Sequence, residues 1–423
     1  MTNTVIAIAV FVIAMAIIIS EKIHRAAVAI AGAVVLLLTG VLDFEDSLEY
    51  IDFNTLGVLI GMMTFVGVVK ESGLFQYLAV KSARLAKGDP WKIMVFFIII
   101  TAVLSALLDN VTTVLLIGPM TMTICAILGI NPVPFFMTQI LASNVGGTST
   151  LIGDPPNIMI GSKAGLSFAD FINYDTPPVI IILAAFILIF KFVYGKKILT
   201  TPEKMAEVMK LDENDEIKDK PLFIKSLVMI GFIVLGFFFH GALGVESSVI
   251  ALTAAAIMLI IGKQNVEHVI TGVEWPTILF FVGLFVVVGG LEKVGVITAI
   301  ANWLTTVTGG NMFLTMILVV WVSAIVSSIL DNIPFCAAMI PVILTMASTG
   351  LDVAPLWWAL SLGACLGGNG TLIGASANVV LSSISTREGH PITFIDFTKV
   401  GFPMMLVSVA IACGYLMLRF HGV

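Results

Sequence analysis

Apolar runs of roughly 20 residues, the length that carries a helix across a bilayer, follow one another along the whole chain. Their spacing predicts spans over about 4–20, 26–42, 55–69 and 177–195, with an acidic loop from Asp43 to Asp52. Residues 74–92 place Lys81, Arg84, Lys87 and Lys92 among apolar positions, which suits a helix lying in the membrane interface. Two apolar legs, about 93–108 and 114–129, flank the polar tip Asp109-Asn110-Val111-Thr112-Thr113. The next segment, about 133–162, is apolar at its ends and broken in its middle by NVGGTSTLIGDPPN, Asn144 to Asn157. Irregular backbone at membrane depth is tolerated only where protein surrounds it or it lines a cavity.

The second half repeats the first at an offset of 222. Gly40 falls on Gly262, Thr55 on Thr277, Val66-Gly67 on Val288-Gly289, Gly73 on Gly295, Asp109-Asn110 on Asp331-Asn332 and Pro119 on Pro341. A second broken phrase, ACLGGNGTLIGASAN from Ala364 to Asn378, follows at an offset of 221 and shares the frame GG-x-x-TLIG-x-x-x-N. Matched Leu and Val are expected of any two apolar sequences, but matched Asp-Asn, Gly and Pro are not. The chain thus divides into a first repeat, 1–195, a polar linker, 196–222, and a second repeat, 223–423.

Charge then sets orientation. If each two-legged unit returns to the side it came from, each half crosses the membrane an odd number of times and the halves are inverted. With the loop after the first span placed inside, only Lys163, Lys293 and Arg419 of the 21 basic residues lie outside. Both termini are then outside. The expected fold is an all-α polytopic membrane protein of two inverted-topology repeats, about 10 spans plus two re-entrant hairpins, with discontinuous helices at the midplane.

Composition agrees: 59% of the 423 residues are hydrophobic and 11% charged, against about 25% charged in soluble domains. Residues 4–20 lack a signal-peptide cleavage site and read as a retained span. Cys125, Cys336, Cys365 and Cys413 lie in apolar segments without CxxC spacing and read as small core residues. No basic cluster with interleaved aromatics suits nucleic acid. There is no HExxH, and His24, His240, His268, His390 and His421 all lie near loops or ends. Neither an enzyme nor a metal or cofactor site is expected.

What remains at depth is acidic. Between Met94 and Gly161, and again between Gly295 and Thr386, there is no Lys, Arg or His. Asp109, Asp154 and Asp331 therefore lie inside the membrane without a basic partner in sequence reach. Such residues are functional candidates by default, and a carboxylate removed from water can exchange a proton. The competing role is a helix cap. Around them, Asn110, Thr112 and Thr113 at one tip and Asn332 at the other offer polar groups to a central cavity. In the breaks, Gly146, Gly147, Gly367 and Gly368 free the backbone, and Thr148, Ser149, Thr150, Asn369 and Thr371 add side chains. Asn144 opens the first phrase, while Asn157 and Asn378 begin the second half-helices. The glycines also suit close helix packing.

The motifs Asp109 to Thr113, Asn144 to Asn157, Asp331-Asn332-Ile333-Pro334-Phe335, Leu362 to Val380 and Gly401-Phe402-Pro403-Met404-Met405 resemble those of the ion-transporter superfamily. That superfamily contains arsenite-efflux permeases, the melanosomal P protein and sodium–dicarboxylate symporters. The likeness covers nearly the whole chain and is nearest to the P-protein and arsenite-permease branch. In the dicarboxylate branch the tips read Ser-Asn-Thr, and these bind sodium and carboxylate. Here Asp109 and Asp331 replace the serines. The resemblance implies a scaffold, a moving unit with two re-entrant hairpins, an elevator-like cycle and a homodimer.

The expectation is a multi-pass transporter of the cell's inner membrane, moving a small inorganic ion or oxyanion with protons or sodium as coupling ion. Its leading form is a proton-coupled efflux antiporter of arsenite or antimonite, since arsenous acid is neutral near pH 7 and needs no arginine clamp. The alternatives are a Na+/H+ antiporter and an anion transporter for chloride or carboxylates.

Overall fold

The structure is a computed structural model that describes residues 2–20 and 22–421; Glu21, next to the end of the first predicted span, lies outside the described residues. Its first half runs α1 (Thr2–Ser20), α2 (Arg25–Leu38), α3 (Phe44–Tyr50), α4 (Phe53–Val69), α5 (Leu74–Leu85), α6 (Pro90–Leu107), α7 (Asn110–Leu128), α8 (Val133–Thr148), α9 (Pro155–Ala164), α10 (Phe168–Tyr174) and α11 (Thr176–Tyr194). After the short α12 (Pro202–Val208) come α13 (Lys220–Leu243), α14 (Ser247–Gly262), α15 (Val266–Thr271), α16 (Trp275–Lys293), α17 (Val296–Val307), α18 (Met312–Ser327), α19 (Asn332–Ser348), α20 (Ala354–Gly367), α21 (Ser376–Arg387) and α22 (Phe394–Arg419). The starts of α2 and α14, α4 and α16, α5 and α17, and α7 and α19 keep the 222-residue register of the sequence. The two broken helices, α8–α9 and α20–α21, keep the 221-residue register.

Eight helices among the described residues are long and apolar enough to cross a membrane. The chain is thus an all-helical, multi-span membrane protein. The expected ten spans counted α2 and α14, which are only 14 and 16 residues long. They lie among the shorter apolar helices.

Two packed groups organise the bundle. In the first, α2 crosses α16 and α4 crosses α14 at backbone contact. A Cβ on Gly283 would sit 2.5 Å from the Ala29 carbonyl carbon, and one on Gly61 would sit 2.6 Å from that of Ala251. Small residues at both crossings let the helices approach without side-chain interdigitation, the usual solution inside a membrane. In the second, α6 lies on α8 and α18 on α20, again through glycine: a Cβ on Gly146 would meet the Ala102 oxygen at 2.2 Å, and one on Gly367 the Ala324 oxygen at 2.6 Å.

Three local expectations change. The acidic loop 43–52 contains the helix α3. The interfacial segment 74–92 ends as a helix at Leu85, because Asp89 caps a new helix with Pro90 in its first turn. The polar linker, whose composition suits a solvated connection, is docked instead. Lys218 donates its amide to Ser72 at 3.1 Å, Thr200 donates its hydroxyl to the Leu128 carbonyl at 2.5 Å, and Arg84 pairs with Glu213.

Candidate functional site

The site is built where two helix tips meet two helix breaks. Asp109 caps α7: Thr112 donates its amide to Oδ1 at 2.7 Å and its hydroxyl to Oδ2. Asp331 caps α19 through the Ile333 amide at 3.1 Å. Both aspartates therefore do the capping work that a half-helix requires, and both remain at the site. Asp154 precedes α9 without capping it. Its carboxylate instead accepts from Nδ2 of Asn332, 3.2 Å from each oxygen. It is 1% exposed.

The two breaks are held open by the same device. Asn157 donates to the carbonyls of Thr148 and Thr150 at 3.0 and 2.9 Å. Asn378 donates to those of Gly368 and Thr371 at 2.8 and 2.9 Å. One side-chain amide thus satisfies two carbonyls that the broken helix would leave orphaned, where an unpaired buried group costs about 1–3 kcal/mol. Asn144 joins the halves, donating to Oδ1 of Asn369 at 2.9 Å and of Asn378 at 2.8 Å, while accepting from Asn110 at 3.2 Å.

Between these groups lies a cavity of about 20 Å³, lined by Asp109, Asn110, Asp154, Asn332, Glu274 and Arg25 among others. That is room for about one water-sized particle. A wider vestibule of about 280 Å³ opens beside it, apolar in its walls and lined by His24, Arg25, Asp331 and Ser376 at its polar end.

Several predicted ligands are committed elsewhere. The hydroxyls of Thr148, Ser149 and Thr150 donate to the carbonyls of Asn144, Gly146 and Ala106. That of Thr371 donates to the Ser328 carbonyl. The bonds of Thr150 and Thr371 fasten the breaks to the ends of α6 and α18, while those of Thr148 and Ser149 stay within the last turn of α8, so these protons are not available to a cargo. Gly146 and Gly367 are required by the contacts with α6 and α18 described above, whereas Gly147 and Gly368 face the turns, at Gly153 and at Gly374 and Ala375. The Thr113 hydroxyl is buried and has no hydrogen-bond partner among the described residues.

The sequence reading found no cation for the aspartates, and the fold supplies one. Arg25, the first residue of α2, reaches Asp331 at 3.1 Å, Ser376 at 2.6 Å and Thr277 at 3.3 Å. Its guanidinium lies 5.0 Å from the centre of the Phe280 ring. Glu274 accepts from Thr277 at 3.1 Å. Neither Arg25 nor Glu274 carried a signal beyond its place at the start of an apolar run. Arg25 counted only as a loop charge, and the two residues of its ion pair are 306 apart.

Residues 15–363 match the citrate transporter family. An uncharacterized transporter of Mycobacterium tuberculosis is 41% identical over 426 residues, covering 99% of each chain. The human P protein is 34% identical over 502 residues, covering 98% of this chain and 60% of its own. Among solved structures, the YdaH transporter of Alcanivorax borkumensis, described as having an unusual topology, aligns over 99% of both chains with a TM-score of 0.62 and 16% identity. That last likeness is one of fold.

Proposed function

The chain belongs to the citrate transporter family of membrane transporters, and on that premise we propose that it is a proton-coupled antiporter whose coupling groups are Asp109, Asp154 and Asp331. One observation carries this reading: Asp109, Asp154 and Glu274 line one small cavity with a single guanidinium, Arg25, which also pairs with Asp331 of the adjoining vestibule at 3.1 Å. Carboxylates crowded into a poorly solvated space cannot all stay ionised, so the site turns over by gaining and losing protons or cations.

Arsenous acid or its antimony analogue is the leading cargo. It is uncharged near neutrality, and the amides of Asn110 and Asn332 can meet its hydroxyls without a cationic clamp. Cys365, whose thiol lies 3.5 Å from Asn157 Oδ1, is given no ligand role, because tight thiolate binding would hinder release. Sodium is the second reading, favoured by the same carboxylates together with the amide oxygens of Asn110 and Asn332, whose side chains belong to the same cavity. A citrate-like trianion is disfavoured, since it would face four carboxylates and one arginine.

The cycle we propose is elevator-like. The α2–α16 and α4–α14 pairs form a frame, and α6–α9 with α18–α21 form the unit that slides with the site, in two inverted repeats. The inner membrane of the cell and a homodimer complete the reading. Transport in proteoliposomes with an imposed pH gradient tests it, with arsenite and sodium offered separately. Acid-driven arsenite movement that Asp109→Asn and Asp331→Asn abolish is the expected result. Proton flux driven by sodium alone moves the assignment to sodium, and indifference to pH with both cargoes rejects proton coupling.

A further inference from the structure

The frame holds the sliding unit at two stations that the 222-residue register makes equivalent. The inner station is Glu274 and Thr277 at the start of α16, with Arg25 at the start of α2. The outer one is Asp52 and Thr55 at the start of α4, with Ser247 at the start of α14. Each acid accepts from the threonine three residues on: Thr55 to Asp52 at 2.9 Å and Thr277 to Glu274 at 3.1 Å.

The two stations grip the sliding unit at unequal heights. The outer station holds Ser162 of α9, which donates to Asp52 at 2.9 Å and accepts from Asn54 at 3.2 Å. The inner station holds Ser376, the first residue of α21, through Arg25 at 2.6 Å. In the 221-residue register Ser162 corresponds to Ser383, and Ser376 to Pro155. The grips are thus seven residues out of symmetry, about 10 Å along a helix. Exchanging the roles of the halves generates the opposite state. There the inner station holds Ser383, and the outer station faces Asp109 and Pro155, with Ser247 in the place that Arg25 now occupies.

On this geometry, and resting on the sliding cycle proposed above, we propose that Arg25 is the one-sided coupling residue that displaces the proton from Asp331 at the inner face. In the present state every partner of Asp331 is a donor. Oδ2 accepts from Arg25 at 3.1 Å and Ser376 at 3.0 Å, and Oδ1 accepts from the Ile333 amide at 3.1 Å. The Ser376 oxygen already accepts from Arg25 at 2.6 Å, so a proton on that carboxyl has to displace one of these bonds, and guanidinium and proton compete for the same oxygen. In the opposite state Arg25 stays with the frame, and the position corresponding to it carries only a serine hydroxyl. Asp331 then has no counter-charge and takes a proton from the outer side.

On return, the O–H bond ionises, the proton leaves through the inner vestibule, and the guanidinium takes its place. The other charged groups facing Arg25 are Glu274, Asp109 and Asp154 across the small cavity. His24 also lines the vestibule; its Nδ1 accepts from the Ala26 amide at 3.3 Å.

Two cysteine pairs read the states without knowledge of the cargo. Asn54→Cys with Ser162→Cys reports the present state, and Pro276→Cys with Ser383→Cys, its equivalent, reports the opposite one. Each is cross-linked in native membranes with a short bifunctional thiol reagent across a pH series. With Arg25 present, alkali favours the 54–162 pair and acid the 276–383 pair. Arg25→Gln is expected to move the pH midpoint of this exchange upward by about one unit or more, the usual effect of removing an opposite charge. Arg25→Lys restores most of it, and Ser247→Arg shifts the balance toward the 276–383 pair. An unchanged midpoint in Arg25→Gln, with both pairs still cross-linking, overturns the role of Arg25 and leaves the sliding cycle intact. A 276–383 pair that never cross-links at any pH overturns both.

Discussion

Asn332, at the tip of one half, holds Asp154, beside the break of the other, with one amide nitrogen 3.2 Å from both carboxylate oxygens. The contact links the two halves at the centre of the site, so a cargo or proton that changes the charge of Asp154 is felt directly at the second tip. A hydrogen bond to a charged group contributes about 1.5–3 kcal/mol. Asn332→Ala is therefore expected to slow transport at least about tenfold while the protein still elutes as a single folded species. Full transport by Asn332→Ala would show that the contact is only scaffolding.

The crossing of α6 and α8 leaves no room for a side chain at Gly146. A methyl there meets the Ala102 backbone oxygen at 2.2 Å, and backbone cannot step aside as a side chain can. Gly146→Ala should lower stability by about 1–3 kcal/mol or more. Gly231, inside α13 with nothing within 4 Å, is the control. Gly231→Ala should be neutral or stabilising by about 0.5–1 kcal/mol. Thermal unfolding of both variants in one detergent decides between them.

The linker should come loose in acid. Hydrogen bonding to its own backbone, and then the Arg84 side chain, holds the Glu213 carboxyl below its ordinary value of 4.5. A depressed acid contributes its stabilisation above the unfolded value and loses it as pH falls through the lower folded one. Docking is thus intact at neutral pH and weakens below about pH 4.5. Glu213→Gln should reproduce the acid effect at pH 7, read as faster proteolytic cleavage between 196 and 220. Identical cleavage in Glu213→Gln and the parent would remove this pair from the docking contact.

A proton count predicts the state of Asp175. The Ser361 hydroxyl oxygen lies 2.7 Å from Asn157 Oδ1 and 2.6 Å from Asp175 Oδ2. A hydroxyl has one proton to donate, and the Asn157 amide protons are engaged with two carbonyls. The second short contact therefore needs a proton on Asp175. Asp175→Asn should fold normally, since an amide can donate in its place, and should delete one carboxylic-acid carbonyl band from the infrared spectrum. Retention of every such band in Asp175→Asn would show that the residue is ionised.

Much of this molecule is written in its sequence. Glycine, proline and aspartate inside apolar runs are costly unless each does a job. Their recurrence at 222 and 221 residues therefore located both tips, both breaks and the acids between them. Capping could be foreseen for Asp109 and Asp331 because it depends on residues within one turn. The amide clamps of Asn157 and Asn378 were legible only as helix starts, since their carbonyl partners are defined once the break has a shape. The hydroxyls of Thr148, Ser149 and Thr150 looked like ligands in the sequence, but the fold turned them onto carbonyls, because a broken helix at depth must satisfy its own backbone first.

What the tertiary structure alone decided is the charge of the site. Local sequence around Asp109, Asp154 and Asp331 contains no cation, and no periodicity could bring Arg25 to a residue 306 positions away. Glu274 entered the same cavity from the start of α16. Sequence fixes which residues share a helix and a turn, because those contacts are set by bonded geometry. Which ends of two different helices meet is set by packing, and here the Gly283–Ala29 crossing brings α2 against α16, the helix that carries Glu274 and Thr277.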